Sequence, residues 1–478
     1  MIFHTWEFIG FYGLVYFLYL KLSHNSQNRA LLISSYYFYA SWDWRFLSLL
    51  IISTTVDYIC GRRIENAKFP TVKKKLVCAS IFTNLSILGI FKYYDFFAQN
   101  LQGLLLYFNI KIEPYFLDTV LPVGISFYTF QSMSYTIDVF FGKVKASRNF
   151  FDFALYVSFF PQLIAGPIER ATRLLPQILQ VRVVKLEYFY RGIYLFFWGI
   201  VFKILLADNL AKIADPVFAS AGPYNGSSVL LATYAFTIQM YCDFAGYSFM
   251  AIGLALCMGI ELMENFRRPF FSRNISEFWR RWHISLSSWC KDYMFTPLYI
   301  SLKNLKVFSG FSTKNQVGII FFFSLLVTLF FLGLWHGPSW NFALFGIYHA
   351  FLIGLYYYTS KKWDKLVVPI QITLTFHLVC LGMLIFRANT LRQAWDMFLS
   401  IFINFHGELI QERLYLWEQL LIFSGFLFLV EFFQERKNNT FTILRLPLFP
   451  RYIFITALLL LVAIFGSFGG QPYIYFQF

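Results

Sequence analysis

The sequence predicts an all-α polytopic membrane protein with about eleven transmembrane helices, since each crossing needs roughly 20 apolar residues. Of its 478 residues, 58% are hydrophobic and only 14% are charged, whereas a soluble domain carries roughly 25% charged residues. The apolar residues also form long unbroken runs, unlike the short alternating segments of an outer-membrane barrel. Composition and patterning therefore exclude a soluble enzyme, a disordered chain and a barrel.

The positive charge of the chain is a topology signal. The formal net charge is +15, and the lysines and arginines lie in the short segments between the apolar runs. The positive-inside rule predicts this placement, because basic loops stay on the cytoplasmic side. We therefore expect a lipid bilayer, and no nucleic acid, to be the partner of this charge.

The apolar runs divide the chain into candidate spans. They lie near residues 6–22, 30–41, 44–60, 76–96, 118–141, 151–166, 188–206, 227–260, 316–334, 341–358, 368–386, 417–433 and 452–468. Runs such as 30–41 are too short to cross alone, so we expect re-entrant or interfacial pieces. The run at 227–260 is long enough for a span plus a turn at Gly246. No linker separates soluble domains, which predicts one membrane domain over residues 1–478.

The longest weakly apolar stretch, residues 261–316, predicts an amphipathic helix that starts near Ser272. Asn274 is a candidate N-cap, because its side chain can accept a hydrogen bond from a first-turn N–H group. Apolar residues then recur at steps of three and four. These residues are Ile275, Phe278, Trp282, Leu286, Trp289 and Tyr293. Such a helix, rich in tryptophan and arginine, is typical of a membrane interface or the edge of a cavity.

His336 is the histidine whose surroundings favour a function. It follows an apolar span directly and precedes Gly337 and Pro338, which interrupt a helix. An ionisable residue at membrane depth is expensive and is a functional candidate by default. The alternative is a histidine that caps the break through a hydrogen bond.

The other histidines outside the amphipathic segment are weaker candidates. His4, His24 and His406 lie near span ends and favour a wetted interfacial position. His349 and His377 lie within spans, where a hydrogen-bonded core histidine is the more frequent outcome. No Walker loop, HExxH, GxGxxG or GxSxG motif occurs, so we expect no metal and no bound cofactor.

Several motifs together resemble the membrane-bound O-acyltransferase family, and within it the bacterial alginate O-acetyltransferase branch. The most specific are SEFWRRWHISLSSW at residues 276–289 and LWHG at 334–337. Further similarity comes from PVGISFYTFQ at 122–131, FFPQLIAGPI at 159–168, YCDFAGYS at 241–248 and ENFRRP at 264–269. The resemblance runs from about residue 30 to about residue 390.

The resemblance implies which residues act. His336 matches the histidine of the family's Trp-His-Gly motif, and His283 matches that of the Arg-Trp-His motif, so both are expected to be catalytic. Neighbours in or close to the same motifs are expected to contact substrate. These are Trp335, Gly337, Asn341, Trp282, Arg280, Arg281 and Ser287. The implied fold is a ring of helices around a thin centre, where a cytoplasmic donor meets an acceptor from the other side.

The implied reaction is acyl transfer, of an acetyl group in the first instance, from a cytoplasmic thioester to a hydroxyl group outside the cytoplasm. The donor would be acetyl-CoA or an acyl carrier, and the acceptor a polysaccharide or an extracytoplasmic acetyltransferase partner. His336 would be the general base, and His283 would orient the donor or stabilise developing charge. Arginines at 267, 268, 273, 280 and 281 could attract phosphates or serve only as topology anchors.

Two alternatives stay open at this point. One is D-alanyl transfer to teichoic acid from a carrier protein, and the other is a transporter or flippase without chemistry. In each case we expect a multi-pass protein of the bacterial cytoplasmic (inner) membrane.

Overall fold

Helices form every regular element that the computed structural model describes, which covers residues 1–117, 120–305, 313–405, 414–469 and 472–474. The all-α prediction is confirmed. Among the residues so described, eight helical segments are long and apolar enough to cross a membrane. They are Pro70–Tyr107, Leu186–Ala219, Gly226–Cys257, Asn315–His336, Trp340–Trp363, Val368–Arg387, Leu414–Arg436 and Leu448–Phe465. The polytopic class is therefore confirmed as well, while the ring-shaped arrangement stays a prediction.

Large apolar side chains on the last of these segments remain exposed. Ile453, Leu460 and Ile464 are 55%, 56% and 68% exposed, on a segment with a mean hydropathy of 2.3. A soluble protein does not expose such a continuous apolar face, so these side chains face lipid.

The chain forms two compact units, residues 1–196 with 248–263 and residues 197–247 with 264–478. The helices that begin in the first unit are α1 (Trp6–Lys21), α2 (His24–Asp43), α3 (Leu47–Asn66), α4 (Pro70–Leu88), α5 (Tyr94–Tyr107), α6 (Ile125–Phe140), α7 (Phe150–Ser158), α8 (Phe160–Leu163), α9 (Ala171–Leu179) and α10 (Leu186–Ile200). The prediction of a single membrane domain stays a prediction.

The remaining helices begin in the second unit. They are α11 (Asp208–Ala219), α12 (Gly226–Cys257), α13 (Ile275–Arg281), α14 (Ile284–Cys290), α15 (Thr296–Lys303), α16 (Thr313–His336), α17 (Trp340–Trp363), α18 (Val368–Arg387), α19 (Leu391–Ile403), α20 (Leu414–Arg436) and α21 (Leu448–Phe465). Wider π-helical turns occupy Gly89–Tyr93, Val201–Ala207 and Lys291–Phe295.

A buried carboxylate ties three helices of the first unit together. Asp57 on α3 accepts hydrogen bonds from Asn84 on α4 at 2.8 Å and from Thr136 on α6 at 3.0 Å. It also accepts hydrogen bonds from the hydroxyl groups of Ser80 and Ser132. A charge in an apolar interior persists only when such donors surround it, so this cluster fixes the packing of α3, α4 and α6.

In the second unit, a network of buried ion pairs fixes the packing of helices. The ammonium group of Lys203 lies 2.8 Å from Asp208 and 2.7 Å from Asp243, and all three side chains are buried. Asp243 also accepts the backbone N–H of Ile474 at 2.8 Å. The YCDFAGYS motif therefore contributes a structural anchor for the chain terminus.

The expected turn at Gly246 is absent, and that prediction is wrong. Helix α12 runs without interruption from Gly226 to Cys257. A Cβ atom at Gly246 would lie 2.9 Å from the carbonyl oxygen of Gly199. The glycine therefore permits close approach of two helix backbones, a usual reason for small residues in membrane helices.

Glycines also set the contact between α16 and α17, the pair of helices that flanks His336. A Cβ atom at Gly346 would lie 1.9 Å from the carbonyl oxygen of Leu329, and one at Gly333 would lie 2.1 Å from that of Phe342. Because neither distance is sterically possible, any side chain at these positions must push the two helices apart.

We expect Gly346→Ala to lower the free energy of unfolding by about 1–3 kcal/mol, as overpacking of a tight contact typically does. Gly425→Ala on α20 is the matched control, since no atom of the described residues other than its chain neighbours and its own helix backbone lies within 4 Å of the added Cβ. The control should be neutral or gain up to about 1 kcal/mol of helix propensity. Thermal unfolding in detergent measures both, and equal melting temperatures would contradict the close-contact argument.

Candidate functional site

The amphipathic segment forms two short helices, so the prediction of one continuous helix is wrong. Asn274 caps α13 as predicted, and its side chain accepts the N–H of Glu277 at 2.8 Å. After α13 the backbone of Trp282 is extended, and His283 adopts a left-handed conformation with φ of 42°. Residues other than glycine rarely occupy that region, and they do so most often where the surroundings hold them for function.

Asn265 holds the break in place. Its backbone oxygen accepts the N–H of Ile284 at 2.9 Å. Its side-chain Oδ1 accepts the N–H of Ser285 at 3.3 Å and the hydroxyl group of Ser285 at 2.9 Å. The first N–H groups of α14, which a helix cannot satisfy internally, thereby find partners.

The same Oδ1 atom fixes the tautomer of His283, whose Nδ1 lies 3.1 Å away. A backbone N–H can only donate, so the atom of Asn265 that faces Ser285 must be the amide oxygen and not the nitrogen. An amide oxygen cannot donate, so Nδ1 of His283 carries the proton. In the neutral ring, Nε2 therefore carries a lone pair.

Aromatic rings enclose His283, which is 1% exposed. Its ring centroid lies 4.6 Å from that of Phe244, 5.9 Å from that of Trp335 and 6.4 Å from that of Phe266. Burial lowers the pKa of His283 well below its usual range, and the nearby His336 lowers it further. The ring is therefore neutral at physiological pH.

His336 is the last residue of α16, directly before the predicted break. The chain turns through Gly337 and Pro338, and α17 begins at Trp340 with Ser339 as its N-cap. A Cβ atom at Gly337 would lie 2.4 Å from the ring of Phe342, so only glycine fits this turn. The Gly-Pro break is confirmed.

The His336 ring is 5% exposed and lies among aromatic rings. Its centroid lies 5.1 Å from that of Trp335, 5.2 Å from that of Phe386 and 6.2 Å from that of Phe345. Trp335 contacts both His283 and His336. The structure thus brings the two predicted catalytic histidines to one tryptophan.

Asn341 secures the turn after His336. Its side-chain amide donates hydrogen bonds to the carbonyl oxygens of Ala388 at 2.7 Å and Ile385 at 3.3 Å. Its side chain is buried and binds the end of α18. This geometry gives Asn341 a structural contact, and its predicted substrate contact stays a prediction.

His349 lies next to the site, and its ring has the tautomer opposite to that of His283. The indole N–H of Trp279, which can only donate, lies 3.3 Å from Nδ1 of His349, so Nδ1 accepts and Nε2 carries the proton. The ring packs 4.6 Å from that of Phe345 and is fully buried. His349 is a hydrogen-bonded interior histidine, whereas His377 is exposed and bonds the carbonyl oxygen of Thr373 in its own helix.

A cavity of about 810 Å³ follows one face of α16 towards His336. Phe321, Leu325, Leu329 and Leu332 line it at successive turns, and their exposure falls along this order. His336 follows Leu332 by four residues, which is about 6 Å along a helix axis. The cavity therefore reaches to within roughly one helical turn of the histidine.

Basic residues also line the cavity, and most of them form ion pairs with acidic residues of the chain. Arg281 lies 2.7 Å from Glu277 and 2.9 Å from Glu435. Arg268 lies 2.6 Å from Glu435, and Arg273 lies 3.2 Å from Glu277. Burial opposes the ionisation of Glu277, yet the N–H of Arg273 and the Arg281 guanidinium outweigh it and lower the pKa.

Arg280 and Lys291 are the cations at the cavity that have no acidic partner among the described residues. The side chains of Arg280 and Lys291 line the cavity and are exposed. Arg280 donates a hydrogen bond to the hydroxyl group of Ser276 at 3.0 Å. The sequence motif does not distinguish Arg280 from its ion-paired neighbour Arg281.

The other predicted substrate residues divide between the cavity and the interior. Ser287 lines the cavity and donates a hydrogen bond to the carbonyl oxygen of Trp282 at 3.2 Å. Trp282 is buried against Phe278 and Phe266. In the part of the chain that the structure describes, no group of three or more His, Cys, Asp or Glu residues could hold a metal ion. His406 lies outside the described residues.

Sequence reasoning assigned no role to Asn265, Trp279, Lys291 or Glu435. The ENFRRP motif contained Asn265, but no spacing rule connects it with His283. Glu435 lies 167 residues from Arg268, so its ion pairs leave no local pattern.

Comparison with known proteins places the chain among acyltransferases of the membrane. Residues 32–389 match the family model described as MBOAT, membrane-bound O-acyltransferase family. A probable alginate O-acetylase of Azotobacter vinelandii is 40% identical over 381 residues, which are 79% of this chain and 72% of that protein. A peptidoglycan O-acetyltransferase of Helicobacter pylori is 32% identical over 76% of this chain and 71% of its own. A teichoic acid D-alanyltransferase of Bacillus subtilis is 32% identical over 56% of this chain and 69% of its own.

The ion pairs predict that two neighbouring arginines differ in their effect on stability. Arg281→Ala removes one of the two guanidinium groups paired with each of Glu277 and Glu435 and should cost about 1–3 kcal/mol of unfolding free energy, since hydrogen bonds to charged groups contribute about this much. Arg280→Ala is the matched control and should stay within about 0.5 kcal/mol of the wild type. Unfolding in detergent measures both variants, and a larger loss for Arg280→Ala would refute the assignment of ion pairs.

Proposed function

The chain belongs to the membrane-bound O-acyltransferase family, and we propose that it moves an acetyl group from a cytoplasmic thioester to a hydroxyl group of an extracytoplasmic glycan. The observation that carries this proposal is the packing of His283 and His336 against Trp335, beside a cavity that follows α16. Family membership makes the chain an enzyme of acyl transfer, which argues against the alternative of a transporter without chemistry.

In the proposed reaction the hydroxyl oxygen attacks the carbonyl carbon of the thioester, and His336 takes the hydroxyl proton. The carbon–sulfur bond then breaks, and the proton passes from the imidazolium to the leaving sulfur. The products are an ester and a free thiol. A positioned base of this kind typically contributes about 10²–10⁴-fold to the rate.

The cavity along α16 suits the thioester arm of the donor. Its lining towards His336 is aliphatic, and it is also lined by Arg280 and Lys291, which have no acidic partners among the described residues. Phosphate groups of a pantetheine-type donor would bind these cations, because charge-assisted hydrogen bonds are stronger than neutral ones. The acyl group would then lie at the aliphatic end, towards His336.

The proposed acceptor and location follow from the relatives. Two of them are named for O-acetylation of alginate and of peptidoglycan, which supports a polysaccharide acceptor, reached directly or through an extracytoplasmic acetyltransferase partner. These relatives are bacterial, which supports the cytoplasmic membrane as the location. D-alanyl transfer is the second candidate, because a named D-alanyltransferase is 32% identical over a shorter part of the chain.

We expect His336→Ala to lower acyl transfer by about 10²-fold or more, since it removes the proposed base. The purified protein in liposomes would receive a labelled acetyl thioester on one side and a glycan on the other. Covalent label on the glycan is the readout, and a parallel reaction with a D-alanyl carrier thioester distinguishes the second candidate.

His377→Ala is the matched histidine control, because this exposed ring bonds the carbonyl oxygen of Thr373 in its own helix and packs against Tyr234 and Phe376. It should retain wild-type turnover. If His336→Ala retained it as well, the assignment of the base would be wrong.

The donor assignment makes a separate prediction about affinity. Arg280→Ala combined with Lys291→Ala should raise KM for acetyl-CoA about tenfold or more, since hydrogen bonds to charged groups contribute about 1.5–3 kcal/mol. Turnover of acetyl-N-acetylcysteamine, a thioester without phosphates, should not change. Arg267→Ala, which removes an arginine paired with Glu264, is the control, and an equal loss with both thioesters would contradict phosphate binding.

A further inference from the structure

We propose that Asn265 is a positioning residue that holds His283 in its Nδ1–H tautomer, so that Nε2 of His283 accepts a hydrogen bond from a second hydroxyl group of the glycan, next to the one that attacks the thioester. The inference rests on the proposed function and assigns the second histidine a defined part in it. Asn265 itself touches neither substrate in this scheme.

The hydrogen bonds of Asn265 leave His283 one choice of tautomer. Its Oδ1 atom accepts from Nδ1 of His283 at 3.1 Å and from both the N–H and the hydroxyl group of Ser285. Turning the amide around would place its NH₂ group against the N–H of Ser285, two donors face to face. The backbone N–H of Ser285 therefore fixes the orientation of the Asn265 amide, and this amide fixes the tautomer of the His283 imidazole.

This tautomer decides what His283 can do. A neutral ring with its proton on Nδ1 has no N–H at Nε2, so it cannot donate a hydrogen bond to the oxygen of a tetrahedral intermediate. Protonation would supply that donor, but Phe244, Phe266 and Trp335 surround the ring with apolar surface, which opposes a charge. Of the two roles expected from the sequence, charge stabilisation is therefore disfavoured. Acceptance of a hydrogen bond from the neighbouring hydroxyl group holds the sugar in place while His336 takes the one proton of the attacking hydroxyl group.

Two substitutions separate positioning from mere structural support. Asn265→Ala removes the hydrogen bond that fixes the tautomer and should lower kcat about 10–100-fold, the range seen when metal-binding histidines lose the partner that orients them, with KM for the thioester unchanged. Asn265→Asp keeps an oxygen that accepts the same three hydrogen bonds, so it should fold and retain the Nδ1–H tautomer.

The pH profile supplies the readout that a structural role would not change. The titratable group that faces His283 among the described residues is His336 on α16, and the other elements packed against it present aromatic rings. A carboxylate at position 265 favours the charged imidazole and raises its pKa. Because His283 must be neutral to accept, the acid limb of the kcat/KM profile should move to higher pH in Asn265→Asp.

The experiment compares wild type, both variants and Asn209→Ala in the liposome assay with acetyl-CoA between pH 5 and 9, a range that brackets the unperturbed histidine pKa of roughly 6.5. Asn209 bonds the backbone oxygens of Leu205 and Phe465 and serves as an asparagine control with an unchanged profile. A superimposable profile for Asn265→Asp, failure of that variant to fold, or normal turnover of Asn265→Ala would each overturn the inference. A wild type that forms no ester would instead refute the proposed function and the inference with it, whereas an active wild type with unaffected variants refutes the inference alone.

Discussion

The break between α13 and α14 is the constraint on which the candidate site depends. At the buried break between the two short helices, the first N–H groups of α14 have no partner within their own helix and must find one elsewhere in the protein. Asn265 supplies those partners through its backbone oxygen and its Oδ1 atom. The same contacts require the left-handed backbone at His283, which directs the imidazole between Phe244 and Trp335. The hydrogen bonds that satisfy the backbone at the break therefore also place the His283 side chain.

The sequence predicted features whose cause is local and missed those whose cause is remote. The end of α16 at His336 was predictable, because glycine and proline act on their own turn, and so was the Asn274 cap. The break at His283 was not, because its partner Asn265 lies 18 residues earlier and the apolar period runs through it undisturbed. The turn predicted at Gly246 was wrong for a related reason. Glycine permits both a turn and a close contact between helices, and only the position of Gly199 in the fold shows which one occurs.

Which arginines are ion-paired could not be predicted from the sequence either. The arginines of the basic segment are equivalent in the sequence, and a count of positive residues cannot separate them. Folding brings Glu435 from a distant helix to Arg268 and Arg281. Because these two arginines are already ion-paired, they are less available to bind a phosphate group. Arg280, one residue from Arg281, points to Ser276 instead. The side of the helix on which an arginine lies therefore decides whether it supports the fold or is available to a ligand.

The distribution of polarity also suits the chemistry of a thioester. The exposed cations Arg280 and Lys291 line the cavity, where water competes for them, so under the proposed function they would bind a charged donor reversibly. The aliphatic face of α16 then leads towards His336 and His283, which are 5% and 1% exposed. Water near an activated carbonyl would divert it to hydrolysis, and a dry site also strengthens every hydrogen bond made there. Enclosure by aromatic rings thus keeps the His283 imidazole neutral and restricts water at both histidines, so one packing arrangement meets two requirements of acyl transfer.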